Sequence, residues 1–265
     1  MMKLGVNTVL FKPFPVYEAM RLIALSGYDG VELSAIKGMC EHLNLDDPAQ
    51  SFAEIRRAQA DFGLALLSME VASQEEARLI KAFSAARELG IPLVNVGPIG
   101  KTGVPGDLQA NTASLTRLAG HAREYGVTLC CKAHVGGSMY NTPTTLATMA
   151  AIPSEAFGVD MDPSHIHRAG ERPEEALRQV VSGVRHIHIR DCQGPGPSPG
   201  LPAQQACGKG DIDLYAYFRV LVEAGYQGPV VLEVIGPDLS AEEAVAISAE
   251  SFGYMNACLK ALGAR

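Results

Sequence analysis

The chain has 265 residues, 47% of them hydrophobic, and its 22 basic and 29 acidic side chains leave a formal charge of −7. That length and apolar content support a sizeable core and exclude a disordered tail, while the acidic balance argues against a nucleic-acid surface, which concentrates Lys and Arg. The apolar runs are strand-sized and the segment MMKLGVNTVLF lacks a signal-like core, so the sequence reads as a soluble cytoplasmic globule with no membrane span.

In chain order, eight short apolar runs predict strands: KLGVNT (3–8), GVELS (30–34), LALLSMEV (64–71), LVNVGP (93–98), VTLCCKA (127–133), FGVDMD (157–162), VRHIHIRD (184–191) and PVVLEVIG (229–236). Segments of helical period separate them. These helices are expected over 15–25, 51–62, 74–89, 112–125, 142–149, 173–181, 213–224 and 240–262. Gly27, Gly63, Gly90, Gly126, Gly183 and Gly225 each follow a helix and precede a strand, where a left-handed cap favours glycine. Cys40, Cys130, Cys131, Cys192, Cys207 and Cys258 are scattered without a CxxC pair, which predicts reduced thiols in the core and no disulfide framework.

Eight alternating units predict an α/β fold, a (β/α)8 TIM barrel forming a single domain over 1–265. A doubly wound sheet is the competitor, but no GxGxxG or P-loop follows the first strand. The Pro- and Gly-rich stretch 194–210 is long for a connector inside a barrel and is expected to be a functional lid.

Barrel active sites lie at the carboxyl ends of the strands. Those ends carry Asn7, Glu32, Glu70, Lys132, His134, Asp162, His165, His186, His188, Arg190, Asp191 and Glu233. Strand alternation puts His186, His188 and Arg190 on one face and Asp191 on the other. A rim of His, Asp and Glu converging from several strands suits a divalent metal bound by imidazole and carboxylate. Taken singly, each histidine reads as a hydrogen-bonded structural residue.

GYDGVEL (27–33), Asp162-x-x-His165, HIHIRD (186–191), GKGDID (208–213) and GYQGPVVLEV (225–234) together resemble the xylose-isomerase-like TIM-barrel superfamily, in order and over nearly the whole chain. That superfamily holds sugar phosphate isomerases, keto-sugar epimerases, inosose dehydratases and an apurinic endonuclease branch. The resemblance implies a divalent metal (manganese, magnesium or zinc) on Asp162, His188 and Glu233. A fourth ligand, a glutamate closing the fifth strand, is replaced here by Lys132.

Three outcomes stay open at that position. The metal persists with His134 or His165 completing its ligands; the Lys132 ammonium takes the place of the metal's charge; or Lys132 is a catalytic base or Schiff-base amine. The resemblance gives His165 a substrate contact. His134 is read as a second substrate contact, Arg190 as either facing a carboxylate or phosphate or closing a salt bridge on the barrel rim, and Lys209 as free to approach an anion.

The function implied is a sugar or sugar phosphate isomerase or epimerase that abstracts a proton beside a carbonyl, with Lys132 and Glu233 catalytic and a small carbohydrate as substrate. A lyase using the same enediolate is the alternative, followed by a catalytically degenerate sugar-binding barrel. A repair nuclease would need more ligands and a basic face. The resemblance also implies a homo-oligomer.

Overall fold

The computed structural model describes residues 2–265. Every apolar run forms a strand. These are β1 (Lys3–Asn7), β2 (Gly30–Ile36), β4 (Ala65–Ala72), β5 (Leu93–Val96), β6 (Thr128–Lys132), β7 (Phe157–Met161), β8 (Val184–Ile189) and β9 (Pro229–Leu232). Their residues are buried almost without interruption, as expected for parallel strands covered on both faces. All eight are parallel to their neighbours, and the β1–β2 and β1–β9 pairings close the barrel. A short strand, β3 (Cys40–Glu41), folds back antiparallel on the end of β2.

The helices are α1 (Val16–Leu25), α2 (Pro48–Phe62), α3 (Glu76–Leu89), α4 (Asp107–Tyr125), α5 (Thr142–Ala151), α6 (Pro163–Arg168), α7 (Pro173–Val180), α8 (Leu214–Glu223) and α9 (Ala241–Ala261). Apolar side chains such as Leu79, Phe83, Leu115 and Phe218 bury against the outer face of the sheet. Ser240 caps α9 in a reciprocal pair with Glu243. No helix among the described residues is long and apolar enough to cross a membrane. All six cysteines are buried and unpaired.

Two readings of the sequence are corrected. Residues 162–167 do not end a strand: β7 stops at Met161, and α6 begins at once. The Asp162 carboxylate accepts from the Ser164 amide at 2.8 Å and Pro163 opens the first turn, a local start signal that overrides continuation of the strand. Gly27, Gly63, Gly90, Gly126 and Gly225 do take left-handed backbone, but Gly183 does not. It ends a 3-10 turn packed against Met149, whose flexible end a Cβ would have to displace.

Candidate active site

Inward side chains of the strands stack in two polar layers. The deeper one joins Glu32 (β2), Ser68 (β4), Asn95 (β5), Asp160 (β7), His186 and His188 (β8), all essentially inaccessible to solvent. His188 Nδ1 donates to Asp160 Oδ2 at 2.6 Å, and its Nε2 makes a very short contact with Glu32 Oε2. Burial alone would neutralise this imidazole, but Asp160 and Glu32 raise its pKa well above the ordinary histidine value. Burial works likewise against the charges of Asp160 and Glu32, and the imidazoles hold both carboxyls below their usual range. His186 closes the layer between Asp160 Oδ1 at 3.0 Å and Ser68 Oγ at 2.9 Å. Asn95 and Asn7 donate to the two Glu32 oxygens.

The upper layer floors a cavity of about 450 Å³, within the range of small-molecule sites. Lys132 Nζ, at the end of β6, lies 2.8 Å from Glu233 Oε1 and 3.3 Å from Glu70 Oε1. The Asn7 amide holds the other Glu70 oxygen at 2.6 Å. Arg190 Nη2 lies 2.8 Å from Asp162 Oδ2 and 3.1 Å from Glu233 Oε2. Neither of those two oxygens receives a well-directed hydrogen bond. His165 and His134 complete the wall with rings 3.9 Å apart.

Two neighbouring carboxyls are driven in opposite directions. Burial and the Glu233 charge push Glu70 up to about 8. Burial also opposes ionisation of Glu233, but Lys132 and Arg190 outweigh it and hold Glu233 well below the usual carboxylate range. Burial would lower the Lys132 pKa, yet Glu233 and Glu70 raise it above that of an ordinary lysine. A Schiff-base or free-amine lysine has to titrate low, so the surroundings of Lys132 work against that outcome. Burial, reinforced by Arg190, keeps His165 neutral.

Glu70, His188 and Glu233 each present a ligand atom within 4.8 Å of the others, a spacing that fits a divalent ion. Asp160 behind His188 Nδ1 is the kind of carboxylate that orients a ligating imidazole. An ion at this point would take His188 Nε2 from Glu32 and carboxylate oxygens from Lys132.

The residues singled out from sequence do come together: Lys132, His134, His165, Arg190 and Glu233 all line the cavity, and Asp162 and His188 lie buried beneath it. Asp162 stands outside the converging ligand group, engaged by Ser164 and Arg190. Lys209 points away and pairs with Glu250 at 2.6 Å. Asp191 accepts from the amides of Cys192, Gly208 and Ile212, anchoring the 194–210 loop. That loop brings Pro197 and Pro199 to the cavity mouth.

Glu70, Asp160 and Arg168 were not assigned roles from sequence. Strand phase could have found Asp160, two residues before Asp162. Helical phase could have found Arg168, which follows His165 by one turn of α6.

Fold and site therefore define a parallel (β/α)8 barrel with a polar pocket at the carboxyl ends of its strands. The family model of the xylose isomerase-like TIM barrel matches residues 20–258, and the chain belongs to that family. An uncharacterized protein of Methanocaldococcus jannaschii is 24% identical over 249 residues, covering 88% of this chain and 83% of that protein. Inosose dehydratase of Clostridium perfringens is 26% identical over 133 residues, 45% of this chain and 44% of that enzyme. Among solved structures, a D-tagatose 3-epimerase-like protein superposes with TM-score 0.79 at 18% identity, covering 99% and 98% of the two chains. The IolI protein with a bound zinc atom gives TM-score 0.76 at 21% identity, covering 98% and 99%. At such identities the structural matches show the fold alone.

Proposed function

We propose that the chain is a sugar isomerase or epimerase working through an enediolate. The observation that carries this reading is the Glu70–Lys132–Glu233 group at the cavity floor, two carboxyls joined by one ammonium within 3.3 Å. Proton transfer beside a carbonyl needs an ionised base, a protonated donor and positive charge near the developing oxyanion. Glu233, held ionised by Lys132 and Arg190, is the base. Glu70 holds the proton to be returned, and Lys132 supplies fixed positive charge beside the developing oxyanion. His134 and His165 orient the substrate hydroxyls. A divalent ion (zinc, manganese or magnesium) would be held by Glu70, His188 and Glu233. When bound, it polarises the substrate oxygens. The sugar-acting names among the relatives and fold neighbours support a carbohydrate substrate.

The test is proton exchange. Ketoses and inososes incubated in deuterated water should gain deuterium beside the carbonyl, read by NMR, and Glu233→Gln should stop it. Elimination product without exchange into recovered substrate would transfer the reading to a lyase. No exchange and no product across the panel would end both.

A further inference from the structure

Three arginines in this chain are largely buried, and two have carboxylate partners. Arg78 pairs with Glu41 at 2.9 Å, and Arg190 with Asp162 at 2.8 Å. Arg168, 9% exposed and part of the cavity wall, has no carboxylate within 4.0 Å among the described residues. Its guanidinium is held only by neutral groups. Nε donates to the Ser164 carbonyl at 3.2 Å, Nη1 to the Pro197 carbonyl at 2.9 Å, and Nη2 to His165 Nδ1 at 2.9 Å.

The Val135 amide also approaches His165 Nδ1, at 3.3 Å. Beyond His165, Arg190 approaches Nε2 at 2.8 Å, so one neutral imidazole separates two guanidinium groups. Lys132 and Arg190 have ionised carboxylates in contact, Glu233 and Asp162, whereas Arg168 has none. A desolvated guanidinium without a counter-charge is costly unless an anion arrives to pair with it.

We infer that the Arg168 wall of the cavity receives an oxyanion, a carboxylate or phosphate carried by the substrate. This deepens the sugar-processing reading and rests on the cavity being its substrate site. The guanidinium fork matches either oxyanion, and His134 and His165 lie beside it as neutral partners for the neighbouring hydroxyls.

The experiment is calorimetric titration of the full chain with D-fructose, D-fructose 6-phosphate, 2-keto-D-gluconate and inorganic phosphate. Wild type is compared with Arg168→Gln and Arg168→Lys. One anionic sugar should bind about 10–100-fold more tightly than D-fructose, the factor expected for a charge-assisted hydrogen bond. Which of the two wins identifies phosphate or carboxylate. Arg168→Gln should bring the ratio towards one, and Arg168→Lys, which keeps the charge, should restore part of it. Equal binding of all three sugars by wild type, or a preference that survives Arg168→Gln, overturns the inference. Turnover of D-fructose without any anion preference would leave the sugar reading standing and remove this subsite. Arg168-dependent phosphate binding with no sugar turned over would do the reverse.

Discussion

The two polar layers of the barrel use the same side-chain chemistry and reach opposite states. In the deeper layer the Glu32 and Asp160 carboxylates sit against the His186 and His188 imidazoles, and Ser68, Asn7 and Asn95 add hydrogen bonds, leaving only the Asn95 Oδ1 without a donor. In the upper layer, buried oxygens of Asp162 and Glu233 lack directed donors, one carboxyl is driven protonated, and a cavity opens directly above. A closed network specifies and rigidifies a core, whereas one with unused valences is suited to binding and chemistry. Clustering of histidines alone does not distinguish them; the distribution of counter-charges does.

Substitutions can separate the layers. The largest effect is expected from Glu233→Gln, which should lower kcat/KM by about 10³-fold, as removal of a general base does. It also strips Lys132 and Arg190 of a buried carboxylate and should cost stability as well. Asp160→Asn leaves two buried imidazoles without their shared carboxylate and should cost about 3 kcal/mol of stability, measured by urea unfolding, with a far smaller loss of kcat/KM in the protein that stays folded. Equal losses of kcat/KM in the two folded variants would erase the distinction.

Lys132→Glu should raise zinc affinity by at least about tenfold, read by titration against a competing chelator, because a cation is replaced by an oxygen ligand. Unchanged zinc affinity would mean that Lys132 does not occupy the ion's place. The gentlest effect concerns pH. Glu70 titrates near 8 in the fold against an ordinary 4.5, so the folded state holds the proton more tightly. Its contribution to stability is full below about pH 4.5 and is lost as pH rises through 8. Glu70→Gln should flatten the fall in stability over that window, by less than about 1 kcal/mol per pH unit.

The barrel was legible because apolar strand runs and helical periods are local signals, and all eight runs form strands. The two-residue β3 and six-residue α6 escaped because neither is long enough to show a period. The site was legible where a side chain ends a strand, as with Lys132 and Glu233. The ligand grouping was not. That Glu70, rather than Asp162, lies beside His188 and Glu233 follows from how different strands align across the barrel, which no single run of sequence shows. Arg168 was missed for a related reason: its importance lies in a missing partner, and sequence shows no pairings.

The 194–210 loop has a timing consequence. Its base is fixed by Gln205, whose amide donates to the Gly200 and Ile235 carbonyls and accepts from the Ile235 amide. Towards the cavity, Arg168 holds the Pro197 carbonyl, between glycines 194 and 200 that both take left-handed backbone. An anion drawn to Arg168 competes for the group that holds this segment. An anion bound there would thus couple ligand arrival to release of this segment through one guanidinium. Amide exchange across 194–200 should then quicken in Arg168→Gln even with the cavity empty.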